Sequence, residues 1–367
     1  MSRNRYGSVL FAALLATVVA ACTSAPTAAS NSSGGETTSA GVSSPLVLRL
    51  AGPEAADGYV DEFVAAVDQL SSGSIKIELV ENTRDPEINI EQQYIEDAKA
   101  NRLDLVQVAA RAWDVAGVNV FRPFVAPFLI TNYDLEQAVI ASPTADTALA
   151  ALAPVGLVGI ALVPGGMRHP VGSTKPILAL ADLAGAHVAI VPSGVALQTF
   201  QAFGATAEGF LIGNPLTGYD AIEQDLDSLA NDAYDTTTTA MTTNVNLWPR
   251  MVTVVMNDST YATLTADQQR ILHDAGQAAN PARIDTIRKA QELDVTHVCG
   301  NGYHLVTATD ADLAAFKTAA QPVISSLAAD PAEASAIAAI QALAASHQGI
   351  TSDTPTCPDA STTRPSS

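Results

Sequence analysis

Basic residues are scarce in this chain. Its 367 residues include 18 Lys and Arg against 38 Asp and Glu, a formal net charge of -20. Such a surface repels phosphate backbones and anionic headgroups, so neither nucleic acid nor an anionic lipid surface is an expected partner. Cysteine is nearly absent, with three in the whole chain, and the six histidines are scattered without a serine or cysteine at a diagnostic spacing. No nucleophile elbow, phosphate loop, dinucleotide fingerprint, zincin helix or calcium loop occurs. The expectation is therefore a protein with no catalytic residues, metal or cofactor. No internal repeat of fixed period marks a solenoid. The apolar run at 9–18 is shorter than the roughly 20 residues needed to span a bilayer.

What is present begins at the N-terminus. Arg3 and Arg5 precede that run, and Val19, Ala20 and Ala21 stand directly before Cys22. This is the pattern of a secretory signal peptide, 1–21, and the small residues ahead of a cysteine resemble a bacterial lipobox, with lipid attached at Cys22. A Ser/Thr/Ala/Gly linker follows to residue 44. Localisation is then the extracytoplasmic side of the cell membrane, held by the lipid alone. Cys299 and Cys357 remain, and in an oxidising compartment one disulfide between them is the simplest outcome, stapling the Ser/Thr/Pro-rich tail to the body. A metal site from His297, Cys299 and His304 lacks a second cysteine pair, and free thiols stay open as an alternative.

The folded part is 48% hydrophobic by whole-chain composition, and its length suits two lobes. Strands are expected at 46–50, 75–80 and 103–108, with helices between them, which predicts repeated β-α-β and a mostly parallel sheet. A helix is expected over about 135–152 and a strand over 156–162. The stretch 162–193 then reads as a crossover: an apolar strand, a Gly-Gly turn carrying Arg168, His169 and Lys175, a short helix and a second strand. Beyond it, 218–235 reads as partly loop and partly helix, 251–256 as a buried strand, and the long helix from Thr265 should kink or divide at Pro281. The alanine-rich segment 311–345 should break at Pro322 and Pro331.

Arg111 and Trp113 follow a strand end, where ligands gather in open α/β sheets, and so does Glu54. Trp248 and Arg250 precede a buried strand, where an aromatic body and a cation can line a pocket, although core packing explains either tryptophan as well. Glu223 and Gln224 could hydrogen-bond ligand hydroxyls or form a solvated helix face.

The order of elements resembles the DctP-type solute-binding proteins of TRAP transporters. The residues that carry the resemblance are LDLVQVAARAW, APFLI, GGMRHPVGSTKPI, DLAGAHVAIVPS, FGATAEG, YDAIEQ and TTNVNLWPRMVTVVMN with TLTADQQRIL, in that order. It implies an α/β fold of the type II periplasmic-binding-protein kind, a two-lobe clamp with crossing strands and a long connecting helix. Lobe I would take 45–171 and 258–296, lobe II 172–257 and 297–349, and the tail 350–367. It also implies capture of a small polar, anionic organic metabolite by lobe closure and delivery to TRAP membrane subunits. Relatives carry a carboxylate-binding arginine in the strand after the DLKG-like turn, where this chain has Ala189. Arg111, Arg168, Lys175 and Arg250 are then the candidate sources of charge, with Trp113, Glu223 and Trp248 completing the expected ligand site, unless the ligand is not a simple carboxylate. Two alternatives stand beside this reading: a lipoprotein enzyme with Asp220 or Glu223 as a cleft carboxylate, and a sensor accessory that binds ligand without a transporter.

Overall fold

A computed structural model of the chain describes residues 44–53, 55–81, 83–347 and 353–358. The expected signal segment 1–21, Cys22, the linker up to 43 and Glu54 lie outside the described residues. Among those described, five strands form a first sheet: β1 (Leu46–Ala51), β2 (Ile75–Leu79), β3 (Leu105–Ala109), β4 (Leu157–Val163) and β11 (Val252–Asn257), in the order β2-β1-β3-β11-β4. The second sheet holds β5 (Met167–Gly172), β6 (His187–Ile190), β7 (Thr206–Gly209), β8 (Ala221–Asp225), β9 (Ala240–Thr242), β10 (Trp248–Pro249) and β12 (His304–Val306). Its order is β12-β9-β5-β8-β6-β7, with β10 paired to β5.

The expected strands form where runs of β-branched and alternating residues placed them. The first sheet is nevertheless mixed, because β1 pairs parallel with β2 and β3 whereas β11 runs antiparallel between β3 and β4. The reason is topological: β11 carries the chain back from the second sheet, so it enters the first from the opposite end. Every residue of β3 and β11 is buried, as befits strands covered on both faces.

Sheet membership also bears on where the lobes divide. The residue 171 boundary would cut β5 away from its partners β8 and β9, and the residue 257 boundary would cut β11 away from β3 and β4. The chain changes sheet within 164–166 and again within 250–251. The two crossings touch, since Arg250 donates its N–H to the Gly166 carbonyl at 2.8 Å. A Cβ on Gly165 would lie 1.9 Å from the Arg250 carbonyl oxygen, so this close approach requires glycine.

The third connection is the helix Ala266–Gly300, which runs through Pro281 as one 35-residue element rather than dividing there. At about 1.5 Å per residue it spans about 50 Å. It packs on the helix Asp61–Leu70 and β4 near one end, and on the helix Leu226–Asn231 and β12 toward the other. Packing along both ends outweighs the hydrogen bond that proline removes. It starts at a capping box between Thr265 and Gln268.

The helix expected at 135–152 is instead two, Tyr133–Ile140 and Pro143–Ala150, because Ser142 caps the second and Pro143 fills its first position. Pro322 sits inside the helix Asp310–Leu327 without ending it, whereas Pro331 opens the next, Pro331–Ala344. The segment 119–125 is a buried 3₁₀ turn whose Phe121 packs on Trp113 at a ring separation of 5.8 Å.

Cys299, at the end of the long helix, is bonded to Cys357. The tail beside it is held further by Asp353, which is buried and accepts from the Tyr133 N–H at 3.1 Å and from Arg288 Nε at 3.1 Å. Engagement of Cys299 in this bond removes it from the metal reading.

Candidate functional site

The crossings deliver charge to the second sheet. Arg168 follows the Gly165-Gly166 turn on β5, directly opposite Trp248 on β10 and Asp225 on β8. Strand alternation puts Glu223 and Asp225 on one face of β8, together with Ala221, and Ile222 on the other. Arg168 is 2% exposed. Its Nε and Nη2 both donate to the Glu223 carboxylate, the latter at 3.3 Å, its Nη2 also reaches the Glu223 carbonyl at 2.9 Å, and its Nη1 reaches Asp225 Oδ2 at 3.0 Å. Trp248 Nε1 donates to the same Glu223 oxygen at 3.2 Å. Glu223 is thus clamped by an arginine fork and an indole N–H, the arrangement by which arginine recognises a carboxylate.

Arg250, at the return crossing, continues the network to Asp225 Oδ2 at 3.3 Å, Ser228 Oγ at 2.6 Å and the Tyr59 hydroxyl. Its guanidinium lies 4.4 Å from the Tyr59 ring centroid, and that of Arg283 on the long helix lies 5.0 Å from the same ring. Tyr59 donates to Asp227 at 2.9 Å, tying the turn before the first helix to the second sheet's side. Burial works against ionising Asp225, but Arg250 and Arg168 outweigh it and hold the carboxyl below its ordinary range. Burial likewise opposes charge on Arg168, and Glu223 with Asp225 reverses this and raises it. Asp227 is pushed up by burial and by the Asp225 charge, and Asp294 to about 7 by burial, Asp227 and Asp225.

The structure therefore brings four of the expected residues together: Arg168, Glu223, Trp248 and Arg250. Glu223 and Gln224 lie on a buried strand, not on a solvated helix face. Arg111 stands apart after β3, paired with Glu91 at 2.7 Å and donating to the Pro192 carbonyl at 3.0 Å. Next to it Asp114 accepts from Ser193 Oγ at 3.2 Å and the Val195 N–H at 3.0 Å, so this turn meets the start of the helix Gly194–Ala202. Trp113 is wholly buried, donates to Thr253 Oγ1 at 3.0 Å and belongs to the apolar core. Lys175 is exposed and pairs with Asp182 at 3.1 Å. Asp220 accepts the His187 N–H at 2.8 Å, a backbone cap.

Ala189 is fully buried in a cluster with Val171, Phe210, Ile222 and Tyr234. Its strand position faces that apolar core, away from the face that bears Glu223.

Sequence reasoning missed Tyr59, Asp225, Asp227, Ser228 and Arg283. Asp225 had a signal, since it lies two residues beyond Glu223 and would share its face once the segment is a strand. A cavity of about 590 Å³ lies elsewhere, lined by Ile88, Phe210, Pro215 and Tyr219 among others, and none of the expected site residues borders it.

Residues 54–330 match the model of DctP, the bacterial extracellular solute-binding protein family 7. The chain belongs to that family. DctP proteins bind substrate and perform no chemistry on it, so the chain is an extracytoplasmic binding protein and not an enzyme. No curated protein matches the chain. Solved structures do, and each shares its fold. A TRAP periplasmic solute-binding protein from Xanthobacter autotrophicus Py2, with bound β-D-galacturonate, is 21% identical with a TM-score of 0.71 over 80% of this chain and 99% of that one. One from Polaromonas sp. JS666, bound to D-erythronate, is 19% identical with a TM-score of 0.71 over 81% and 98%. One from Chromohalobacter salexigens DSM 3043, with bound D-glucuronate, is 14% identical with a TM-score of 0.71 over 81% and 99%. All three confirm the two-lobe DctP architecture of two sheets and covering helices.

Proposed function

We propose that this DctP protein is a lipid-anchored receptor that captures a small polar organic solute between its lobes and delivers it to TRAP-type membrane subunits. The observation that carries the reading is the pair of touching crossings at Gly165 and Arg250, which with the long helix forms a three-stranded hinge between two sheets. In this proposal lobe I takes 45–165 and most of 251–296, and lobe II takes 166–250 and 297–349, so that β5 and β11 stay with their sheets. Closure is ligand-driven, and affinity comes from contacts made only in the closed state. The ligand site takes in Arg168, Glu223, Trp248 and Arg250, with Arg111 on the turn after β3; Trp113, in the apolar core, and Lys175, exposed and paired with Asp182, are left out of it. The sugar acids held by the three relatives support an anionic solute, while the charge arrangement around Arg168 supports a neutral one.

A panel of organic acids, sugar acids, sugars and amino acids tests the capture reading by thermal shift. A bound solute at one hundred times its dissociation constant adds about 2.7 kcal/mol of stability and is recovered unchanged. A solute that is consumed would contradict it. For the anchor, the expected result is that Cys22→Ser moves the protein from the detergent phase to the aqueous phase in a phase-separation assay, and a variant that stays with detergent would refute lipidation at Cys22.

A further inference from the structure

The buried arginines at and around the crossings, on the turn after β3 and on the long helix are already paired with carboxylates of the protein itself. Arg111 has Glu91, Arg168 has Glu223 and Asp225, Arg250 shares Asp225, and Arg283 lies 3.8 Å from Glu62. Among the described residues four arginines thus meet four carboxylates, with Asp227 close by on Tyr59. An anionic ligand entering beside this set would add a buried charge without a counterion, and such a charge is costly unless paired.

Glu223 occupies the very groups that a ligand carboxylate would need. Both its oxygens face Arg168, and one also receives the Trp248 indole. Removing Glu223 from that fork would strand a fully buried carboxylate, so a ligand cannot simply take its place. What the carboxylate still offers is acceptor capacity: Oε2 has one donor at 3.3 Å and room for a second. The seam between the lobes shows a matching preference. On the turn after β3, Arg111 Nε is a buried donor and Asp114 Oδ1 a buried acceptor, and neither has a hydrogen-bond partner among the described residues. A hydroxyl satisfies a donor and an acceptor at once, whereas a carboxylate satisfies only donors.

We infer that the solute is a neutral polyhydroxylated molecule, a sugar or polyol recognised through its hydroxyls, with Glu223 supplying from the protein the carboxylate that sugar-acid ligands bring themselves. The inference rests on the capture reading above and names its ligand class.

Calorimetric titration of the purified protein with matched pairs tests it: galactose against galacturonate, glucose against glucuronate, erythritol against erythronate. The neutral member of at least one pair binds about tenfold or more tightly than its acid, and Glu223→Gln, which leaves Arg168 one counterion short, moves that preference toward the acid by about tenfold. Acids binding in preference to every neutral partner would overturn the neutral class while leaving capture intact. Binding by neither member of any pair would overturn the polyhydroxylated class. If the variant does not fold, the comparison of pairs on the native protein decides alone. A native preference for neutral solutes that Glu223→Gln leaves unchanged would refute the role given to Glu223.

Discussion

Replacing Arg168 with Met lowers stability by about 3–5 kcal/mol, the loss seen when one partner of a buried ion pair is removed and the other left uncompensated. Among the described residues Glu223 then keeps only the Trp248 indole and Asp225 loses one of its two arginines, and all three side chains are at most 2% exposed. Thermal denaturation reads the loss as a fall in Tm on the order of 10 °C for a chain of this size. The companion Arg168→Met/Glu223→Gln recovers part of it, because the amide does not need a counterion. Equal Tm values for Arg168→Met and the native protein would show that the network is not closed in solution. Full recovery is not expected, since Asp225 keeps only Arg250 and the Ser228 N–H and hydroxyl.

The second large effect concerns the tail. Converting Cys299 and Cys357 together to Ser is expected to cost 2–5 kcal/mol, and the chain-entropy picture gives about 4 kcal/mol for a loop of this length; the cysteines stand 58 residues apart. The loss is partial rather than total because Asp353 still holds the tail to the Tyr133 N–H and to Arg288. Denaturant unfolding of the double variant beside the native protein checks this, and adding Asp353→Ala deepens the loss. An unchanged midpoint for the double variant would mean that the bond adds nothing beyond the Asp353 contacts.

The strands of the first sheet could be read from the sequence because runs such as LVLRL, IKIEL and LVQVA carry β-branched and alternating residues in short segments bounded by turns. The crossover was legible for the same reason, with two glycines between apolar strands. The segment 220–231 was not. AIEQDLDSLAN has the composition of a helix, and its first half is a strand only because β5 and β6 pair with it on either side. Once that strand was missed, Asp225 could not be placed beside Glu223. Partners such as Arg168 and Asp225 stand 57 residues apart, and no local pattern reports a pairing at that distance. Trp113 shows the converse error: its place after a strand end suggested a cleft, but its size and apolar face put it into the core against Phe121. Pro281 does not divide the helix, because the helix is held by packing along both ends.

Ala189 is where the resemblance and the geometry meet. A missing arginine suggested that charge had been lost from the pocket. Its position faces the Phe210 and Ile222 core, and the charge on the second sheet is instead concentrated at Arg168 and Arg250 and balanced there.

In the proposed capture the two lobes close about the two crossings. Its most direct test is the distance between the outer strands of the two sheets, read by energy transfer between fluorophores at the exposed positions Lys76 on β2 and Thr206 on β7. A solute that stabilises the protein shortens that distance in a saturable manner, with the same dissociation constant as calorimetry gives. A distance unchanged at saturation would contradict the account.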